Sequence, residues 1–229
     1  MAFVIIFVVF LLISFLVQNR LKSKFREYSQ ETLVSGLTGA QVAQKMLEDH
    51  RIYDVEVVCV EGRLSDHYNP GTKTIALSEE VFHGASAAAA AVAAHETGHA
   101  VQHAQAYSML EIRSMLVPVQ NASSTILNTI FILSFLGGII FNLFSYQTVL
   151  TIIVASYSVI TLFSFITLPV EFDASKRALA WIEDNKIVTT SEQAMAKDAL
   201  HWAAMTYVVG ALASLTFLLY YVFQMLASD

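Results

Sequence analysis

His95, Glu96 and His99 stand in the order HETGH, inside the run HETGHAVQH at 95–103. In a helix, side chains four residues apart project from one face, one above the other. Both imidazoles can then reach one divalent ion. Glu96 sits beside the first histidine and reaches a water on that ion rather than the ion itself. The chemistry such a set serves is metal-assisted hydrolysis, with two nitrogen ligands and a carboxylate general base on one rigid element. The requirement is a helix through 95–99. Ala85 to Ala106 has the strongest helix-forming composition in the chain and predicts one.

A catalytic zinc takes three protein ligands and leaves its fourth position to water. The extended pattern HExxHxxGxxH would need Gly at 102 and His at 105, where this chain has Gln102 and Gln105. His103 lies two turns from His95, too far along the axis to share its ion. It reads as part of a polar face, or as a group behind the ligands or near substrate. Glu171 is the better candidate, in Leu168-Pro169-Val170-Glu171-Phe172-Asp173-Ala174-Ser175. On spacing alone Glu171 is either the third ligand or an ordinary carboxylate in the first turn of a helix.

The elements around the motif are legible in outline. Gly39 to His50 carries Val42, Ala43, Met46 and Leu47 at helical spacing, with Thr38 as N-cap. Val55 to Val60 reads as a strand. Asn69-Pro70-Gly71 is a turn signal, and Thr74 to Leu77 reads as a second strand, so a small hairpin sheet is expected. Ser78-Glu79-Glu80 starts a helix.

The chain of 229 residues is 55% hydrophobic and 14% charged, with a mean hydropathy of +0.56. That excludes intrinsic disorder, which needs few apolar and many charged residues. Thirteen Lys and Arg against nineteen Asp and Glu, net −6, leave no basic footprint for nucleic acid. One cysteine, Cys59, excludes an internal disulfide framework and a Cys-rich zinc module. The apolar residues are concentrated in Ala2–Val17, Ile126–Phe144, Val149–Val170 and Ala203–Ala227. About 20 apolar residues span a bilayer, so four spans are predicted. The first run lacks a basic n-region and a small-x-small cleavage site, and reads as a retained anchor rather than a signal peptide.

Four alternating spans put every Lys and Arg on one side, which the positive-inside rule makes the cytoplasmic side. The spans lack the interior charges expected of an ion pathway. Small residues at Gly137-Gly138, Ser156, Ser158 and Ser164 suggest close packing of spans two and three. Trp181 and Trp202 read as interface or packing residues. Arg20, Lys22, Lys24 and Arg26 would face anionic headgroups, with topology determination as their plain role.

HETGHAVQH at 95–103 and EFDASKRAL at 171–179 resemble the YugP-type membrane neutral zinc metallopeptidases of bacteria. Leu64 to Pro70, Thr74 to Glu79 and Arg113 to Pro118 (RSMLVP) carry the same likeness, which covers nearly the whole chain. EFDAS is also similar to the EFxAD pattern of HtpX-like and CAAX-type membrane proteases. There the glutamate is the third zinc ligand, which carries over to Glu171. The Asp ending that pattern is replaced here by Ser175. Asp173 is off Glu171's helical face and reads as structural or capping.

The resemblance implies a mainly α fold, with four transmembrane helices and a cytoplasmic zincin-like α+β catalytic region containing a small β-sheet. Segment boundaries follow from the runs: an anchor at 1–19, the metalloprotease region at 20–118, and a transmembrane hairpin at 119–170. A cytoplasmic helical segment at 171–202 carries the third ligand, and the last span is 203–229. The implied activity is a gluzincin-type endopeptidase in the bacterial inner membrane. One catalytic Zn²⁺ is bound by His95, His99 and Glu171, with Glu96 as general base. Its expected partners are membrane or membrane-proximal protein substrates and the lipid bilayer. An extended substrate is expected along the strand near 74–77, with His67, Tyr68, Tyr107 and His201 as candidate oxyanion groups. Two other readings stand beside this one. The first is an intramembrane metalloprotease with the HExxH helix itself in the bilayer. The second is a non-catalytic, zinc-stabilised scaffold or adaptor.

Overall fold

The structure is a computed structural model describing residues 1–136 and 138–227. Gly137 of the small-residue pair and positions 228 and 229 of the last span lie outside the described residues. The fold is mainly helical. In chain order the elements are α1 (Ala2–Tyr28), α2 (Gly39–Asp49), β1 (Glu56–Val60), β2 (His67–Asn69), β3 (Thr74–Ser78) and α3 (Glu79–Phe82). Then come α4 (Ala87–Ala104), α5 (Ser108–Phe135), α6 (Ile139–Leu143), α7 (Tyr146–Asp184) and α8 (Thr190–Ala227). Helices α1, α5, α7 and α8 are long and apolar enough to cross a membrane. Helix α4 is not among them.

The chain divides into two compact units. One comprises residues 1–15, 112–168 and 207–229. Its core is Leu127, Ile130, Ile140, Val149 and Ile153, and Phe3 meets Phe131, Phe217 and Tyr221 in an aromatic group. The apolar run read as a single span over 126–144 is broken. Helix α5 ends at Phe135, and Gly138 adopts φ 72° before the short α6. A left-handed residue ends a helix, and glycine takes that conformation without a Cβ penalty. Gly138 is thus a turn residue rather than a packing site. Ser156 is buried, but Ser158 is exposed and its hydroxyl donates back to the Val154 carbonyl.

The other unit comprises residues 16–111 and 169–206 and holds every candidate site residue. Its core packs Val42, Ala43, Met46 and Leu47 of α2 against the alanine face of α4. These α2 positions are fully buried, each side chain contributing about 1.5–3 kcal/mol when large and apolar. Thr38 closes α2 with a capping box, accepting from the Gln41 N–H at 3.3 Å while Gln41 accepts from the Thr38 N–H at 2.9 Å. Ser86 caps α4 by accepting from the Ala89 N–H. Thr189 and Glu192 form the same reciprocal pair at the start of α8. Trp181 is buried, with its indole N–H on Asp49, and so is a core residue rather than an interface one.

The sheet differs from the expected hairpin. Its order is β1-β3-β2, with β1 parallel to β3 and β2 antiparallel to it. The turn at Asn69-Pro70-Gly71 joins β2 to β3, and Asn69 accepts from the Gly71 N–H at 2.9 Å, an Asx-type turn. Strand β3 is therefore central, bonded on both edges, and a substrate cannot pair with it. The exposed edge on the antiparallel side belongs to β2, a strand of three residues.

Candidate metal centre

Helix α4 supplies His95 and His99, and α7 supplies Glu171. Pro169 reads as a helix breaker, yet α7 runs from Tyr146 to Asp184 without interruption. Glu171 therefore lies inside a helix and is no first-turn carboxylate. The helices meet at Gly98. A Cβ there would lie 2.7 Å from the Ala174 carbonyl oxygen and 3.3 Å from its Cα. The absent side chain is what lets α7 approach closely enough for Glu171 to face both histidines. Gly98→Ala would force backbone apart, at the roughly 1–3 kcal/mol typical of overpacking. We expect a lower melting temperature together with weakened metal binding, read by thermal unfolding and zinc titration of the same preparation.

The donor geometry is compact. His95 Nε2 lies 3.3 Å and His99 Nε2 3.5 Å from Glu171 Oε2. All three ligand atoms fall within 4.8 Å of one another, and among the described residues this is the group that could hold a metal ion. Four donors about 2.0–2.1 Å from a tetrahedral zinc stand roughly 3.4 Å apart. The two observed spacings match that separation, and two imidazoles with one carboxylate is a known catalytic zinc set. The residues present therefore fit the ion.

The groups behind the ligands set their tautomers. Gln102 Nε2 donates to the Val170 carbonyl at 2.9 Å and to Asp173 Oδ2 at 2.8 Å. Two acceptors on that side fix the amide, so Oε1 must face His99 Nδ1, 3.0 Å away. His99 is thus set to carry a proton on Nδ1, which would leave its Nε2 lone pair for an ion held between it and Glu171. His95 Nδ1 lies 3.1 Å from the Ser175 hydroxyl. Ser175 thus occupies the place behind a histidine that the EFxAD pattern gives to Asp, with a neutral partner in place of a charged one. Asp173 does not join the cluster. It holds Gln102 and is itself held by Arg177, whose Nη1 donates to Gln105 at 2.6 Å. Replacing an outer partner of a zinc histidine costs roughly 10–100-fold in affinity. Gln102→Leu keeps the shape and removes both polar ends, so zinc affinity by competitive chelator titration is expected to fall within that range.

Electrostatics follow the same contacts. Burial opposes ionisation of Glu171, but the two facing imidazoles outweigh it and hold the carboxyl well below the usual range. Burial likewise disfavours charge on His99, and Glu171 outweighs it, moving His99 above its ordinary value. Asp173 is also lowered, Gln102 and Arg177 overcoming its partial burial. A buried carboxylate between two imidazoles gains most from a cation placed among them.

Glu96 is also nearly buried. Its Oε2 accepts the Tyr68 backbone N–H at 3.0 Å, which ties β2 to α4 beside the histidines. Tyr68 OH stands 2.7 Å from His103 Nδ1. Burial first, then the Asp54 charge, pushes the Tyr68 hydroxyl up to about 12, so it stays protonated. Of the four oxyanion candidates, Tyr68 is the one whose side-chain hydroxyl meets a side chain of the HExxH helix among the described residues. His67 lies on Ser65, Tyr107 stacks under Arg177, and His201 packs on Trp202. Gln102 went unrecognised from sequence. Its one signal was its place one turn after His99.

The class this defines is a helical membrane protein with a candidate metal-hydrolase centre. The chain belongs to the family described as "putative neutral zinc metallopeptidase", whose family model matches residues 3–226. It is similar to the "putative membrane protease YugP" of Bacillus subtilis (strain 168), 39% identical over 225 residues, which covers 97% of this chain and 96% of the relative. No solved structure matches the chain.

Proposed function

We propose that the chain is a membrane zinc endopeptidase of the gluzincin type, with one zinc held by His95, His99 and Glu171 and with Glu96 as general base. The observation that carries this reading is the triangle of donors at 3.3 and 3.5 Å, contributed by two helices. When bound, zinc polarises the scissile carbonyl and brings the pKa of water from 15.7 down to about 7. Glu96 takes the water proton and delivers it to the leaving amine nitrogen. Its Oε2 is held by Tyr68, which leaves Oε1 to carry that proton. Gln102 and Ser175 keep both imidazoles turned so that the Nε2 atoms face inward.

The Tyr68 N–H points away from β3 toward Glu96. In an antiparallel ladder a residue's N–H and C=O point to the same side, so the Tyr68 carbonyl faces outward too. An extended substrate adds along this edge of β2, its backbone N–H on the Tyr68 carbonyl. Glu171 directly follows the apolar run 149–170, which puts the centre at the lipid–water boundary and favours membrane or membrane-proximal proteins as substrates. The basic residues favour the cytoplasmic side for that boundary, and the likeness to a bacterial membrane protease supports an inner membrane.

The test is cleavage of a membrane-anchored reporter peptide by the full-length protein in lipid nanodiscs. Hydrolysis should stop on zinc chelation and return with added Zn²⁺. Cleavage that persists in metal-free protein would remove the zinc mechanism.

A further inference from the structure

We propose that the cavity of about 250 Å³ lined by Lys22, Phe25, Arg26, Arg63, Leu64 and Glu80 binds the phosphate of an anionic phospholipid headgroup. It involves none of the candidate metal ligands and stands independently of the peptidase reading. Lys22 and Arg26 are four residues apart on α1, on one face of the helix. Phe25 is buried between them. Both cations are exposed, and neither is paired with a carboxylate among the described residues. Arg63 comes from the loop between β1 and β2. Its Nε and Nη2 donate to Glu80 Oε2 at 3.2 and 3.1 Å, which holds the guanidinium at the cavity. The lining thus carries three cations against one carboxylate already in use, the arrangement an anion requires.

The position favours a lipid over a free anion. The apolar run of α1 ends at Val17. At 1.5 Å per residue, Lys22 lies about 7.5 Å further along the helix. The polar layer on each side of the hydrocarbon core is roughly 5–7 Å deep. Lys22 therefore meets the outer edge of that layer, and Lys and Arg side chains reach back to headgroups along their apolar stems. The loop adds an apolar contact at the same place. Leu64 is 43% exposed and adopts φ 56°, two residues after Gly62 at φ 106°. A leucine is disfavoured in that conformation, and such residues collect at ligand-binding and switch segments. Phosphate on the three cations, with glycerol and the first methylenes on Phe25 and Leu64, uses every residue of the lining except Glu80, which positions Arg63.

The probes are short-chain phosphatidylglycerol, short-chain phosphatidylcholine and inorganic phosphate. Each is titrated against the full-length protein in neutral detergent and read by native mass spectrometry. Phosphatidylglycerol should bind, phosphatidylcholine should not, and inorganic phosphate should bind at least tenfold more weakly than phosphatidylglycerol. A basic residue at a membrane surface contributes about fivefold to anionic-lipid binding. The pair Lys22→Gln with Arg26→Gln should therefore weaken phosphatidylglycerol binding by about 25-fold. The charge-matched pair Lys45→Gln with Lys197→Gln, both exposed elsewhere, should leave it unchanged, which separates a site from net charge. Equal weakening by both pairs would overturn the proposal. So would inorganic phosphate binding as tightly as the lipid, or an acidic peptide displacing phosphatidylglycerol at equal concentration.

Discussion

Glu96→Gln should bind zinc as the wild-type protein does and hydrolyse peptide about 10²–10⁴ times more slowly, the range a positioned general base contributes. The amide has the shape of the carboxylate and can still accept the Tyr68 N–H now held by Oε2. It has no oxygen basic enough to take a proton from water. Because Glu96 is outside the donor triangle, zinc content should not move. Because it acts on the reacting proton, kcat should fall while KM stays near its original value. Single-turnover kinetics with parallel metal analysis check both. A protein acting only as a zinc-stabilised scaffold behaves differently. It would keep its function in Glu96→Gln and lose it in His95→Ala, so the pair of variants separates a peptidase from an adaptor.

Glu171→Gln should reduce zinc affinity by more than 10²-fold and abolish measurable hydrolysis. The comparison that sets the size is Gln102, which touches a ligand without binding the ion and whose loss is expected to cost 10–100-fold. Glu171 offers the only negative charge in the donor triangle, and it is 2% exposed. The amide keeps the packing against His95 and His99 but removes that charge, so two neutral imidazoles would hold the ion alone. Folding should survive, because the substitution is isosteric and removes the cost of burying an ionised carboxylate. Isothermal titration with zinc and circular dichroism on the same sample distinguish a lost ligand from a lost fold.

The paired histidines and Glu96 could be read directly because all three lie within one turn and a half of a single alanine-rich helix. Periodicity and composition determine such an arrangement locally. The four apolar runs were equally legible, since length and hydropathy carry that signal. The remainder depends on contacts between distant segments. Strand β2 is three residues, His67-Tyr68-Asn69, too short to show an alternating pattern, so the parallel pairing of β1 with β3 stayed hidden and a simple hairpin was expected. The end of the apolar run at Pro169-Val170 left Glu171 open to being read as a first-turn carboxylate. A proline removes one backbone donor, and a long helix packed among others tolerates that loss. The helix therefore carries Glu171 in its interior. Gln102 looked like a missing glycine of a longer motif. Its role emerges only when Val170 and Asp173 of α7 fix its amide. Gly98 likewise shows its purpose only against the Ala174 carbonyl.

Zinc-edge X-ray absorption on the full-length protein, with metal content measured on the same sample, tests the central claim most directly. The account predicts one zinc per chain, two imidazole nitrogens and oxygen donors at about 2.0–2.1 Å, and a first shell that changes when Glu171 is replaced by Gln. A protein purified without chelators that holds no stoichiometric metal, or a zinc shell identical in wild type and Glu171→Gln, would contradict it.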